Sequence, residues 1–231
     1  MPSAFITGAN RGLGFEFARQ YLTGGWQVYA ACRDPDSATE LHRLADASGD
    51  KLQIVALDVT HPANVKSAAA ELDGGAIDLL LNNAGVGGAR GQTVGNIDYK
   101  AWAKVLEVNT MGPIRVSEAF VEHVARSERK LIVTFTSGMG SIADNASGGA
   151  FAYRSSKAAV NMVMRSLAID LAPRGITCVV VNPGWVQTDI GGPHATLTPA
   201  ESVSRLRRLI DSLGPAQSGK FFNHDGREYA W

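Results

Sequence analysis

The chain has 231 residues, 45% hydrophobic and 19% charged, which is enough to bury a core and argues against disorder. Lys+Arg and Asp+Glu both number 22, so no net charge draws the protein to nucleic acid or an anionic membrane. Two isolated cysteines, Cys32 and Cys178, exclude a disulfide framework, and His42, His61, His123, His194 and His224 show no ligand spacing, so no metal site is expected.

The first apolar run, 4–7, starts without the basic lead of a signal peptide, and no window nears the ~18 apolar residues of a membrane span. A cytoplasmic protein is expected. This strand ends in Thr7-Gly8-Ala9-Asn10-Arg11-Gly12-Leu13-Gly14, and a helix is predicted over 13–22. Glycines on a strand-to-helix turn let the backbone bend tightly and approach a phosphate, which the helix N-terminus attracts. The spacing Gly-x-x-x-Gly-x-Gly is by itself a weak sign of a ligand.

A second strand, 27–31, leads to Cys32-Arg33-Asp34. An NAD site needs an acid here for the ribose 2′-hydroxyl, whereas an NADP site needs cations for the 2′-phosphate. Cys32 stands at the acid's place, with Arg33 after it and Arg11 in the turn, so NADP(H) is expected over NAD(H). An inward Asp34 would reverse that preference.

A helix over 37–47, a strand over 52–57 and a helix over 62–71 follow. The next strand, 77–82, ends in Asn82-Asn83-Ala84-Gly85 and opens a glycine-rich loop over 85–95. Helices are predicted over 99–109, closing at Asn109, and over 113–125. The strand 130–136 runs into Ser137, with Ser141 also within reach, and a long helix over 150–172 carries Tyr153-Arg154-Ser155-Ser156-Lys157. A strand over 177–182, the segment Pro183-Gly184-Trp185-Val186-Gln187-Thr188, a helix over 199–212 and a short strand over 220–222 complete the chain.

The strands are mostly continuous Val/Ile/Leu runs that alternate with helices. This implies one α/β domain over 1–231, a Rossmann-type doubly wound parallel sheet of about seven strands, with a short substrate loop near 188–199. Tyr153 and Lys157, four apart, share a helix face, and a cation there is expected to lower the phenol's pKa toward neutrality for proton transfer. Ser137 ends a buried strand at the carboxyl edge, where parallel sheets bind ligands.

Together the Thr7–Gly14 turn, Asp58-Val59, Asn82-Asn83-Ala84-Gly85, Asn109, Ser137, Tyr153/Lys157 and Pro183-Gly184…Thr188 resemble the short-chain dehydrogenase/reductase family along essentially the whole chain. Within it, the opening turn, Gly184–Asp189 and Ser218–Gly226 look like the subgroup of C-factor-like signalling proteins and sniffer-like carbonyl reductases. The resemblance implies Tyr153 as acid–base, Ser137 on the substrate oxygen, and Lys157 on the nicotinamide ribose. It implies Asn109 as holder of a proton-relay water. Gly8, Asn10, Arg11, Gly12, Leu13, Gly14, Arg33, Asp58, Val59, Asn83, Ala84, Gly85, Pro183, Gly184, Val186 and Thr188 would line the cofactor.

It also implies a homodimer or homotetramer packed through 113–125 and the long helix. The activity expected is interconversion of a carbonyl compound (ketone, aldehyde or quinone) and its alcohol. A regulatory protein that binds NAD(P) with little catalysis is the alternative, and a sugar-nucleotide epimerase lacks the further region it would need. Two departures from the family matter: the gap from Ser137 to Tyr153 is longer than in much of it, and the segment between Thr188 and Pro199 is short.

Overall fold

The computed structural model describes residues 1–89 and 91–231. Seven strands, β1 (Ser3–Thr7), β2 (Gln27–Cys32), β3 (Leu52–Ala56), β4 (Leu79–Asn82), β5 (Leu131–Phe135), β6 (Thr177–Asn182) and β7 (Phe221–Asn223), form one sheet in the order β3-β2-β1-β4-β5-β6-β7. Every pairing is parallel. The order reverses between β1 and β4, the topological switch point at which a doubly wound sheet opens a crevice. The fold is the Rossmann type that the strand–helix alternation implies.

The helices are α1 (Gly12–Thr23), α2 (Thr39–Ser48), α3 (Pro62–Glu71), α4 (Tyr99–Leu106), α5 (Gly112–Arg126), α6 (Phe151–Leu171) and α7 (Pro199–Ser212). Strand side chains alternate between two cores. On one face Ile6, Val28, Leu81, Val133 and Val181 pack with Phe17 and Tyr21 of α1, Leu41 of α2 and Leu206 of α7. On the other, Phe5, Leu80, Ile132 and Val180 pack with Val65 of α3, Phe120 of α5 and Val160 of α6. Burial on both sides explains why these strands read as unbroken apolar runs.

Two expected boundaries move for identifiable reasons. The fourth strand begins at Leu79, because the Ile77 N–H goes to the His123 carbonyl at 3.0 Å and pairing with β1 starts only later. The two helices expected over 99–109 and 113–125 instead form one rod, α4 and α5 joined by a π-helical turn, Glu107–Met111. Pro113, which has no N–H to give an α-helical ladder, stands just after Gly112. Asn109 therefore sits inside a widened turn and not at a helix end.

Candidate active site

The base of the crevice is laced between β1 and β4. The Thr7 hydroxyl oxygen accepts from the Asn83 and Ala84 N–H groups, each at 3.0 Å. The Asn83 side-chain amide returns donors to the Thr7 and Gly8 carbonyls at 2.8 and 3.1 Å. The glycines above it are sterically obligatory. Gly8 has φ +65°, and a Cβ there would lie 3.0 Å from the Ala84 Cα; Gly12 has φ +56° and faces Thr188. At Gly14 a Cβ would run into the Gly8 carbonyl oxygen. Arg11 precedes α1 without capping it, and the first turn holds no acid. Among the described residues no side chain caps the orphan N–H groups of α1, and this cradle fits a pyrophosphate. Gly14→Ala is expected to lower the melting temperature and abolish any thermal stabilisation by a dinucleotide, because overpacking a closed site costs about 1–3 kcal/mol. Unfolding curves with and without a nicotinamide dinucleotide would check this, and wild-type behaviour would contradict it.

At the end of β2, Cys32 is buried, and burial first, then Asp34, push its thiol upward. Arg33 and Asp34 are exposed. Burial disfavours the Asp58 carboxylate, but hydrogen bonds from Thr60 together with His61 and Arg33 outweigh it and hold the group below the usual carboxylate range. Arg33 thus shares a neighbourhood with Asp58, while Val59 is buried against Gly112. Arg11, expected with Arg33 at the 2′-phosphate, forms an exposed ion pair with Asp189, Nε to Oδ2 3.1 Å. Asn10 and Leu13 are half-buried in the turn.

Ser137 follows β5, accepts from the Met139 N–H at 3.1 Å and is a hydrogen-bond partner of Tyr153 of α6. Lys157, one turn on, is 6% exposed. Its Nζ lies 5.7 Å from the centre of the Tyr153 ring and donates to the Phe135 carbonyl at 2.9 Å. An ammonium has three N–H groups, so two remain without a partner among the described residues. Burial alone pulls the Lys157 pKa down to about 8.

The Tyr153 phenol is not acidified by Lys157: burial raises it above its ordinary value, and only Ser137 acts to lower it. The ammonium gives one donor to Phe135 and is itself disfavoured by burial.

Asn109 is fully engaged. Its amide bonds the Val86 N–H and carbonyl, both at 2.9 Å, and donates to the Ser156 hydroxyl at 3.0 Å. Both amide N–H groups are used, so a water on this residue would rest on an oxygen. Gly85 is held against Asn109 and Lys157, 3.3 and 3.8 Å from where its Cβ would be. Reasoning from the sequence missed Ser156, which anchors Asn109 and adjoins Lys157; its burial was the only signal, and that needs the fold.

Ser141 leaves the contest, since its hydroxyl donates to the Trp231 carbonyl at 3.3 Å and accepts from the Asp144 N–H. Beyond β6, Pro183 accepts from Ser202 and Gly184, φ +83°, is packed under His224 and Leu197. Val186 is buried and bridges Leu197, and Thr188 closes a tight turn with Gly191 and Gly192, so the short segment to Pro199 folds on itself. His194 is exposed there. Among the described residues no cluster suits a metal and no helix is long and apolar enough to cross a membrane.

A parallel sheet with a glycine cradle at its switch point and a Ser–Tyr–Lys–Asn group at the same edge defines a dinucleotide-dependent oxidoreductase of the short-chain type. The short chain dehydrogenase family model matches residues 2–196, and the chain belongs to that family. It is 46% identical to the C-signal of Myxococcus xanthus over 157 residues, 68% of this chain and 94% of that protein. It is similar to the carbonyl reductase Sniffer of D. melanogaster, with TM-score 0.94, 32% identity and 100% of both chains covered. An NADPH-bound carbonyl reductase from chicken fatty liver gives TM-score 0.91 and 38% identity over 100% of this chain and 99% of that one.

Proposed function

We propose that the chain is an NADP(H)-dependent carbonyl reductase that interconverts a ketone, aldehyde or quinone and its alcohol. The observation that carries this reading is the buried Lys157 ammonium, with two donors unused among the described residues, one helical turn from a half-buried phenol that faces Ser137. Bound along the glycine cradle, NADPH would supply the hydride. Tyr153, protonated across the neutral range because burial raises its pKa, gives its proton to the substrate oxygen as negative charge develops there. Ser137 holds that oxygen by hydrogen bonding. Lys157 offers to ribose hydroxyls the two donors that have no partner among the described residues. Asn109, clamped by Val86 and Ser156, holds a water that returns the proton.

Gly8, Asn10, Arg11, Gly12, Leu13 and Gly14 would cradle the pyrophosphate, and Asp58 and Val59 the adenine. Asn83, Ala84, Gly85, Pro183, Gly184, Val186 and Thr188 would border the nicotinamide half, and the loop near 188–199 the substrate. The 2′-phosphate falls to Arg33, with Arg11 joining if it exchanges Asp189 for the cofactor. Arg33→Ala is expected to raise the KM for NADPH by about 10- to 100-fold, the worth of a charge-assisted hydrogen bond, with NADH little changed. Steady-state kinetics with both cofactors would check it, and a retained NADPH preference would refute the assignment.

The exposed Tyr99, Met111, Met162 and Ile169 on the α4–α6 side support a homo-oligomer. A regulatory protein that binds NAD(P) is the second reading, favoured by the identity with the C-signal. Assaying NADPH oxidation with a panel of ketones, aldehydes and quinones separates the two. Turnover supports the reductase, and tight NADPH binding without turnover selects the regulator.

A further inference from the structure

Beyond β7 the chain reverses. The Asn223 N–H donates to the Arg227 carbonyl at 2.8 Å, and Phe222 bridges Glu228 in antiparallel fashion, so 228–231 run back beside the sheet edge. This tail is anchored on buried Phe221: the Tyr229 N–H donates to its carbonyl at 2.7 Å, and the Tyr229 and Trp231 rings lie 4.9 and 5.6 Å from its ring centre. From that anchor it reaches the loop between β5 and α6. The Ala143 N–H and the Ser141 hydroxyl donate to the Trp231 carbonyl at 2.9 and 3.3 Å. The Tyr229 hydroxyl donates to the Asp144 carboxylate at 2.8 Å. That hydroxyl also lies over Gly138, 2.9 Å from where a Cβ would stand, and Gly138 adjoins Ser137.

Residues 142–150 are exposed throughout, Ile142 at 78%. At its far end the loop is tied by Arg154, which donates to the Gly148 carbonyl at 3.1 Å and to Ser147 at 2.8 Å. A cavity of about 360 Å³, bordered by Asn223, Arg227, Glu228 and Ala230 as well as Asp144 and Tyr229, separates tail from loop. The junction is thus held by a few polar contacts and not by a packed core.

We propose that the Tyr229–Asp144 hydrogen bond is a specificity-determining clasp, holding the 138–149 loop against the tail as one wall of the substrate pocket beside Ser137. The inference rests on the carbonyl reductase reading. Tyr229 and Asp144 are positioning residues that act through the loop. Loosening the clasp weakens binding of carbonyl compounds large enough to reach the wall and spares small ones that are not.

The test uses the full chain as wild type and as Tyr229→Phe, Asp144→Ala and Asp144→Asn, with NADPH and either a bicyclic quinone or a two-carbon aldehyde. For Tyr229→Phe and Asp144→Ala the quinone KM rises about three- to tenfold, while kcat, the aldehyde KM and the NADPH dissociation constant stay as in wild type. Asp144→Asn, whose amide oxygen still accepts, restores the wild-type KM, and the Tyr229→Phe/Asp144→Ala double variant is no worse than either single one. An unchanged quinone KM, or an equal rise for the small aldehyde, overturns the clasp. If wild type reduces no carbonyl compound at all, the functional reading has failed. The clasp is then judged by amide hydrogen exchange over 138–149, where faster exchange in Tyr229→Phe sustains it and unchanged exchange overturns it.

Discussion

Tyr153→Phe is expected to lower kcat for NADPH-driven carbonyl reduction by about 10²–10⁴-fold, the usual share of a positioned acid, with NADPH affinity little altered. The phenol is hydrogen-bonded to Ser137, and its removal leaves the cradle of Gly8, Gly12 and Gly14 untouched. Because burial raises the Tyr153 pKa, the group is a proton donor at neutral pH, so reduction runs in the resting protonation state. The reverse reaction needs the phenolate and gains as pH rises. Lys157 sets the upper limit for reduction: its ammonium is lost as pH climbs through about 8, so kcat/KM for reduction is level near neutrality and falls above that value. Stopped-flow or steady-state rates over pH, for wild type and variant, would show both effects. Wild-type kcat in Tyr153→Phe would remove the acid from the account.

Lys157→Met is expected to abolish turnover and yet stabilise the fold at pH 7. A lysine with its pKa lowered from 10.5 to about 8 holds its proton more weakly folded than unfolded. Between those values the unfolded chain binds more protons, so wild-type stability increases with pH across that window, and below about 8 the burial penalty is felt in full. Removing the charge recovers about 1–3 kcal/mol once the lost hydrogen bond to Phe135 is allowed for. For a chain of this length that is a rise of roughly 2–10 °C in melting temperature at pH 7, shrinking as pH approaches that of free lysine. A lower melting temperature in the variant would contradict it. A buried charge kept at such a cost fits a group retained for chemistry and not for folding.

The fold was legible because its signals are local. Continuous apolar strands report burial on both faces, and α3 and α7 begin at Pro62 and Pro199, the latter behind the reciprocal Thr198–Glu201 cap. The glycine turn was legible as a turn, but that Gly14 is forbidden a Cβ depends on Gly8 and Asn83 lying against it. Tyr153 and Lys157 share a face by helix geometry alone, whereas their proton affinities do not follow from spacing. Burial and the Phe135 carbonyl, 22 residues away, decide them. The Arg11–Asp189 pair and the return of Tyr229 to Asp144 join distant segments, and no window of sequence contains both partners.

The most direct measurement follows the hydride itself. Wild-type protein is given NADPH deuterated at the reactive position of the nicotinamide, together with a prochiral ketone that it oxidises NADPH against, and the alcohol is examined by NMR. Deuterium on the carbinol carbon, in one enantiomer, is the predicted result. Oxidised cofactor with no deuterium in the alcohol would contradict the site as a hydride-transfer centre.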